Sequence, residues 1–157
     1  MKNLTKFLVS IFFVGYIKFA PGTWGTLVSL LIMYILLNIL SLPLIILAII
    51  FIFLFFISNY LINYFSLITN SHDSKHIVID ELLGVFIIFL FYDLIFLLND
   101  ILTYSLIFIL FRFFDIIKPF PAGWIDQNVK NSKGVIFDDI IAGIYSIMIL
   151  ILLNVFI

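Results

Sequence analysis

Residues 44–57 read LIILAIIFIFLFFI, fourteen successive apolar side chains with no charge and no turn residue. The apolar character extends to about residue 65, which exceeds the roughly 20 residues that a helix needs to cross a bilayer. Because backbone groups inside a bilayer must be satisfied within their own segment, such a run predicts a helix. Similar runs occupy 27–40, 82–98, 101–111 and 140–157. We therefore expect an all-α fold, a small membrane bundle with about five membrane-embedded helices.

The composition of the 157-residue chain excludes most other classes of protein. Hydrophobic residues make up 65% of the chain and charged residues 11%, whereas a soluble domain carries about 25% charged residues. Disordered chains are polar, so disorder is excluded as well. The chain has no Cys, which removes disulfides and thiolate chemistry. A net charge of −1 gives no argument for a nucleic-acid partner. We expect residues 1–157 to form a single domain surrounded by membrane lipid.

The basic residues predict the orientation of this bundle. With five spans, all eight Lys and Arg residues fall before the first span, in the connection 66–81, or in the polar segment 112–139. Cytoplasmic connections are enriched in Lys and Arg, so this side is expected to face the cytoplasm and the C-terminus the other side. The run 101–111 is short for a span, and a re-entrant hairpin over 82–111 is the alternative. Residues 7–17 are interpreted as an interfacial helix rather than a sixth span.

Six of the nine acidic residues fall in three clusters next to apolar runs: Asp80 with Glu81, Asp115 with Asp126, and Asp138 with Asp139. Charges beside membrane spans are costly and are therefore candidates for function. The first and third clusters are each expected to open a helix. Asp80 and Gly84 are four residues apart, as are Asp139 and Gly143, so each pair places a carboxylate and a point of close helix approach on one helix face. This suggests one shared site. Helix capping by the acids is the ordinary alternative.

Cationic and Gly-rich segments accompany these acids. Arg112 and Asp115 are three residues apart on one helix face, and Lys118 precedes the Pro residue that ends that helix. The planar fork of Arg and the mobile charge of Lys both suit phosphate oxygens. Thr23, Gly22 and Gly25, in the turn 21–26, would add backbone N–H and hydroxyl donors to the same anion at a helix start. The alternatives are a plain ion pair at a membrane boundary and a plain loop.

Clustered carboxylates without Cys favour a hard cation, Mg²⁺ by preference. With anion-holding cations nearby they suggest metal-assisted phosphoryl chemistry, in which a carboxylate serves as base or, less readily, as nucleophile. His72 is interpreted as a solvated loop residue rather than a proton shuttle. The candidate residues are Asp80, Glu81, Asp138 and Asp139 as catalytic metal ligands, Arg112, Lys118 and Thr23 as phosphate-binding groups, and Asp115 and Asp126 as catalytic residues that orient water or complete the metal shell.

Four segments in this order match a known family: PGTWGT at 21–26, IVIDELLG at 77–84, FRFFDIIKPFP at 111–121 and DDIIAG at 138–143. Over about residues 15–150 the sequence resembles phosphatidylglycerophosphatase A, a bacterial membrane phosphatase. Thr26 stands where the family has Ser. The resemblance implies Mg²⁺-dependent hydrolysis of phosphatidylglycerophosphate to phosphatidylglycerol and phosphate, at the inner face of the bacterial cytoplasmic membrane. Carried over to this sequence, the implied site is Asp80, Glu81, Arg112, Asp115, Lys118, Asp126, Asp138 and Asp139. Asp73 is a weaker member, since the usual Pro does not follow it.

Three alternatives stand beside this hypothesis. A phosphatase acting on another lipid phosphate would need the same groups. An ion-coupled membrane carrier would also use acids next to helices, but its site belongs near the middle of the membrane. A non-catalytic membrane scaffold would have no need for the only Arg, the only Glu and four Asp in converging clusters.

Overall fold

The computed structural model describes residues 2–71, 74–97 and 99–156. Regular structure in these ranges is entirely helical, as expected. Helix α2 continues into a π-helical turn at Ile35–Ile39, and a 3₁₀ turn at Val14–Tyr16 lies between α1 and α2. The helices are α1 (Lys2–Val9), α2 (Pro21–Tyr34), α3 (Leu44–Thr69), α4 (Ile79–Phe89), α5 (Tyr92–Ile95), α6 (Asp100–Ile117), α7 (Ala122–Asn128) and α8 (Ser132–Phe156).

Three helices in the described ranges are long and apolar enough to cross a membrane: Pro21–Ile39, Leu44–Thr69 and Ser132–Phe156. These long apolar helices indicate a membrane-associated protein. The expected run 101–111 lies inside α6, whose 18 residues also carry Asp100, Arg112 and Asp115. The structure therefore gives three such helices where the sequence predicted about five.

The predicted span 82–98 is not one helix. Helix α4 ends at Phe89, and the short α5 leads to Asn99, whose side chain accepts a hydrogen bond from the backbone N–H of Leu102 at 2.9 Å. Asn99 thus caps the start of α6 and fixes the break. The result is a helical hairpin of α4 and α6, which is the arrangement of the alternative over 82–111.

Helices α4 and α8 run side by side in the same direction, and two glycines set their separation. A Cβ on Gly84 would lie 2.7 Å from the carbonyl oxygen of Asp139, and a Cβ on Gly143 would overlap the carbonyl oxygen of Gly84. The predicted close approach at both Asp-x-x-x-Gly positions is therefore confirmed. The expectation that Asp138 opens a helix is wrong. Helix α8 begins six residues earlier, where Asn131 Oδ1 accepts from the N–H groups of Lys133 and Gly134.

The N-terminal segment holds the loop that leads into α4. The expected interfacial helix over 7–17 is shorter than predicted, since α1 ends at Val9 and Ile11–Phe13 adopt left-handed backbone angles. The N–H of Val78 donates to the carbonyl of Val9 at 3.1 Å. His76 stacks on Tyr16, with ring centroids 4.3 Å apart, and its Nδ1 lies 2.9 Å from the carbonyl oxygen of Gly15. These contacts fix the chain immediately before Asp80.

The α4–α8 crossing predicts a large effect of side-chain size at Gly143. Gly143→Leu should lower the free energy of unfolding in detergent by roughly 3 kcal/mol, because the new side chain would displace the backbone of α4. The matched control is Ile144→Leu, one residue further along α8 on its exposed side. Equal stability of the two variants would contradict this packing.

Candidate active site

A polar cavity of about 240 Å³ opens at the end of the bundle where α2, α4 and α8 begin and α6 ends. Six carboxylates and three cationic side chains line it. These are Asp80, Glu81, Asp115, Asp126, Asp138 and Asp139, with Lys75, Arg112 and Lys118. The structure thus gathers in one cavity eight of the nine candidates named from the sequence; Thr23 is the exception.

Three of the carboxylates form a tight, buried group. One oxygen from each of Asp80, Glu81 and Asp139 lies within 4.8 Å of the others, and each residue is less than 9% exposed. Asp80 and Glu81 occupy the first turn of α4, and the α4–α8 crossing at Gly84 brings Asp139 to the same level. Glu81 Oε2 is buried and has no hydrogen-bond partner among the described residues. Uncompensated buried oxygens at this spacing fit a divalent cation with oxygen ligands.

Asp138 is not part of this group, although it was expected to be a metal ligand. Its Oδ2 accepts a hydrogen bond from Lys118 Nζ at 2.6 Å. Successive residues on a helix point in directions about 100° apart, so Asp139 faces α4 while Asp138 faces the loop after α6. Asp139 therefore belongs to the buried carboxylate group, whereas Asp138 pairs with the ammonium group of Lys118.

Arg112 lies next to the carboxylate group, between Asp115 and the start of α2. Its Nη1 contacts Asp115 Oδ2 at 2.5 Å, one turn further along α6. On the other side, a Cβ on Gly22 would lie 2.6 Å from Glu81 Oε1 and 3.0 Å from Arg112 Nη1. Only Gly lets the start of α2 approach this closely. The ion pair of Arg112 with Asp115, which the sequence left open as the ordinary alternative, is therefore present, inside the cavity that also holds the carboxylates.

Lys118 is fixed by two carboxylates. It ends α6 with left-handed backbone angles, and its Nζ lies 2.9 Å from Asp126 Oδ1 and 2.6 Å from Asp138 Oδ2. Burial alone would lower the pKa of Lys118. The hydrogen bonds and charges of Asp138 and Asp126 outweigh that effect and raise the pKa above its ordinary value. Lys118 is therefore a permanent cation at the cavity wall.

Burial also changes the acids at the start of α4. It raises the pKa of Asp80 to about 6, a value that the Asp115 charge also favours and that a hydrogen bond with Glu81 moderates. The pKa of Glu81 is raised well above its usual range by burial and by the Asp80 charge, against the opposing effect of Arg112. Close carboxylates resist simultaneous ionisation, and a bound cation would remove that cost.

Sequence reasoning missed one contributor to the cavity. Lys75 lines it and makes no salt bridge among the described residues; its only sequence signal was a position five residues before Asp80. Gly22, one of the expected donors of the turn 21–26, lines the cavity and lies against Glu81 and Arg112. Thr23 is not among the lining residues, and its N–H donates to the carbonyl of Ala20 at 3.0 Å. His72 and Asp73 lie outside the described residues.

Comparisons with known proteins identify the family of the chain. The sequence pattern of phosphatidylglycerophosphatase A matches residues 7–154. The chain belongs to the phosphatidylglycerophosphatase A family. A protein of that name from Haemophilus influenzae is 34% identical over 138 residues, which cover 86% of this chain and 79% of the relative. The Escherichia coli protein of the same name is 31% identical over 150 residues, which cover 96% and 83%.

A third relative carries a different name. A Bacteroides thetaiotaomicron protein provisionally named phosphatidylinositol-3-phosphatase is 33% identical over 144 residues, which cover 87% of this chain and 84% of the relative. No solved structure matches the chain. The resemblance to the phosphatidylglycerophosphatase A family is thus confirmed, and with it the expectation of a phosphatase, at the level of the family.

The buried acids predict how the stability of the cation-free protein depends on pH. The pKa of Asp80 is higher in the folded protein than in the unfolded chain, so stability should fall as pH rises from about 4 through 6. In EDTA, the melting temperature should therefore be lower at pH 8 than at pH 5. Asp80→Asn should remove part of this fall and melt several degrees above the wild type at pH 8.

The control for this measurement is Asp93→Asn, which changes an exposed acid on α5. It should show the same fall between pH 5 and pH 8 as the wild type. If Asp80→Asn also shows the full fall, the buried Asp80 carboxylate is not the source of the pH dependence.

Proposed function

We propose that this chain hydrolyses the terminal phosphomonoester of phosphatidylglycerophosphate to phosphatidylglycerol and phosphate, with Mg²⁺ as cofactor. The observation that carries the proposal is the buried group of Asp80, Glu81 and Asp139 next to Arg112, in a chain of the phosphatidylglycerophosphatase A family. The names of the Haemophilus influenzae and Escherichia coli relatives support this substrate and a role in phospholipid biosynthesis.

The donor set supports Mg²⁺ rather than a softer metal. Asp80, Glu81 and Asp139 offer only carboxylate oxygens, which hard cations prefer. These three residues would hold the ion. When bound, the ion would neutralise phosphate oxygens and lower the pKa of a water ligand. The cavity also has an excess of carboxylates over cationic side chains, six against three, which favours a cation over an anion at this position.

The cationic side chains have the complementary role of holding the phosphate. Arg112 presents a planar fork that its contact with Asp115 orients, and Lys118 is held by Asp126 and Asp138. Lys75 lines the same cavity with no carboxylate partner among the described residues, so it is free to turn toward an incoming anion. Charged groups that are already in position stabilise most effectively the negative charge that develops on the phosphate in the transition state.

The reaction exchanges one P–O bond for another. A water oxygen bonds to phosphorus, the bond to the glycerol oxygen breaks, and the proton that water loses balances the one that the glycerol oxygen gains. Asp115 would orient the water or accept its proton; its position in the cavity, with Oδ2 at 2.5 Å from the Arg112 Nη1 that would hold the phosphate, supports this role. Asp126 acts through Lys118, which it contacts at 2.9 Å.

We infer that the cavity faces the cytoplasm from a bacterial inner membrane. Lys75, Arg112 and Lys118 line it. Lys18 lies just before α2, Lys130 just before α8, and Lys133 in the first turn of α8; both helices begin at the same end of the bundle. The enrichment of cytoplasmic segments in Lys and Arg supports this orientation. A site at one end of the bundle also favours a lipid-headgroup enzyme over a carrier, whose site belongs at mid-depth.

The first test measures phosphate release from phosphatidylglycerophosphate by purified protein in detergent, with Mg²⁺ and then with EDTA. We expect release that requires Mg²⁺ and that falls at least 100-fold in Asp139→Asn, because that variant removes one charged ligand of the proposed ion. Asp93→Asn is the control. Mg²⁺-dependent release from phosphatidylinositol 3-phosphate but not from phosphatidylglycerophosphate would contradict the proposed substrate. It would favour the substrate for which the Bacteroides relative is named.

Removing the fork of Arg112 tests the phosphate-binding role separately. Arg112→Ala should lower kcat/KM by about 100-fold or more, the loss typical when one fixed donor to a developing anion is removed. Lys133→Ala removes an exposed cation of α8 that is not among the cavity-lining residues, and it should keep wild-type activity. Full activity in a folded Arg112→Ala protein would refute the assignment.

A further inference from the structure

An apolar groove of about 570 Å³ runs between α2 and α6. One stripe of α2 forms one wall, with Leu27, Leu31 and Tyr34 at helical spacing. A stripe of α6 forms the other wall, and its residues nearest to Arg112 along the helix are Phe108 and Ile109. At the far end Tyr34 meets Tyr104 across the two helices, with ring centroids 6.0 Å apart in an edge-to-face contact.

The groove and the polar cavity lie one helical turn apart along α6. Arg112, which lines the cavity, follows Phe108 by four residues and Ile109 by three, so it lies on the same face of α6 as these groove residues. On α2, Gly22 borders the cavity five residues before Leu27, which lines the groove. With a rise of about 1.5 Å per residue, Leu27 lies about 7.5 Å along the axis from Gly22, and Tyr34 about 10 Å beyond Leu27.

We propose that this groove holds one acyl chain of the lipid substrate while the headgroup phosphate occupies the polar cavity. The proposal rests on the proposed function and specifies how the substrate is positioned. The offset of about 7.5 Å leaves room for headgroup atoms between phosphate and chain. Leu30, Leu31 and Phe108 then contact the chain, and the pair Tyr34–Tyr104 ends the groove.

This arrangement has a catalytic consequence. Binding energy from a part of the substrate that does not react can fix the reacting phosphate relative to Arg112 and the carboxylate group. A water-soluble headgroup with the same phosphomonoester lacks that contribution. The enzyme should therefore prefer an acylated substrate to its own deacylated headgroup, and the preference should depend on the walls of the groove.

The experiment compares kcat/KM for diacyl phosphatidylglycerophosphate with kcat/KM for glycerophosphoglycerophosphate, its deacylated headgroup, at fixed detergent concentration. Leu31→Trp narrows the groove at a position that is 57% exposed. The ratio of the two constants should fall about tenfold, the factor expected when roughly two buried methylenes lose contact. Leu152→Trp is the matched control on α8, 54% exposed and away from the groove, and it should keep the wild-type ratio.

The outcomes separate the two proposals. If the wild type releases no phosphate from either compound, the proposed function fails and the groove assignment with it. If the wild type is active but Leu31→Trp and Leu152→Trp have the same ratio, the groove assignment alone fails. Ile109→Trp, on the opposite wall, repeats the test should Leu31→Trp not fold.

Direct labelling gives a readout that does not depend on activity. A substrate with a photoreactive group on one acyl chain should label residues 27–34 and 104–109 in the wild type. Labelling spread over α3 and α8 instead would mean that the groove holds only ordinary bilayer lipid, and it would overturn the assignment.

Discussion

The close crossing of α4 and α8 is the constraint on which the site depends. Gly84 and Gly143 remove the side chains that would keep the two backbones apart. Because the helices run in the same direction, the first turn of α4 lies level with Asp139, seven residues into α8. Asp139, which is distant in sequence, thereby becomes a neighbour of Asp80 and Glu81 in one buried group. A larger residue at either glycine would separate the carboxylates as well as the helices.

Electrostatics then determine what this end of the bundle can bind. Carboxylates buried together are costly to ionise, which is why burial raises the pKa values of Asp80 and Glu81. The two fixed cations are each held by acids of their own, Arg112 by Asp115 and Lys118 by its two partners, and so they offset the charge of the group only in part. A divalent cation among the carboxylates would reduce the remaining excess of negative charge in the cavity.

The hairpin of α4 and α6 shows where hydropathy alone is insufficient. The run 82–98 is apolar apart from Asp93, yet it does not form one span. Helix α4 ends at Phe89, and its neighbours in the bundle bury most of its residues. A buried helix and a membrane span of similar composition have the same apolar sequence signal. The break is fixed by the capping of α6 at Asn99, a local interaction, and by the packing of the hairpin against α8, which is not local.

The sequence by itself determined the all-helical class, the three longest apolar helices, and the identity of almost every charged residue in the cavity. It could do so because apolar runs, helix-ending Pro and isolated charges act through local chemistry. Only the tertiary structure decided that Asp139 joins Asp80 while Asp138 pairs with Lys118, and that Gly22 approaches Glu81. Those choices depend on the rotation and separation of helices about their own axes, which the packing of the whole bundle sets and no single segment encodes.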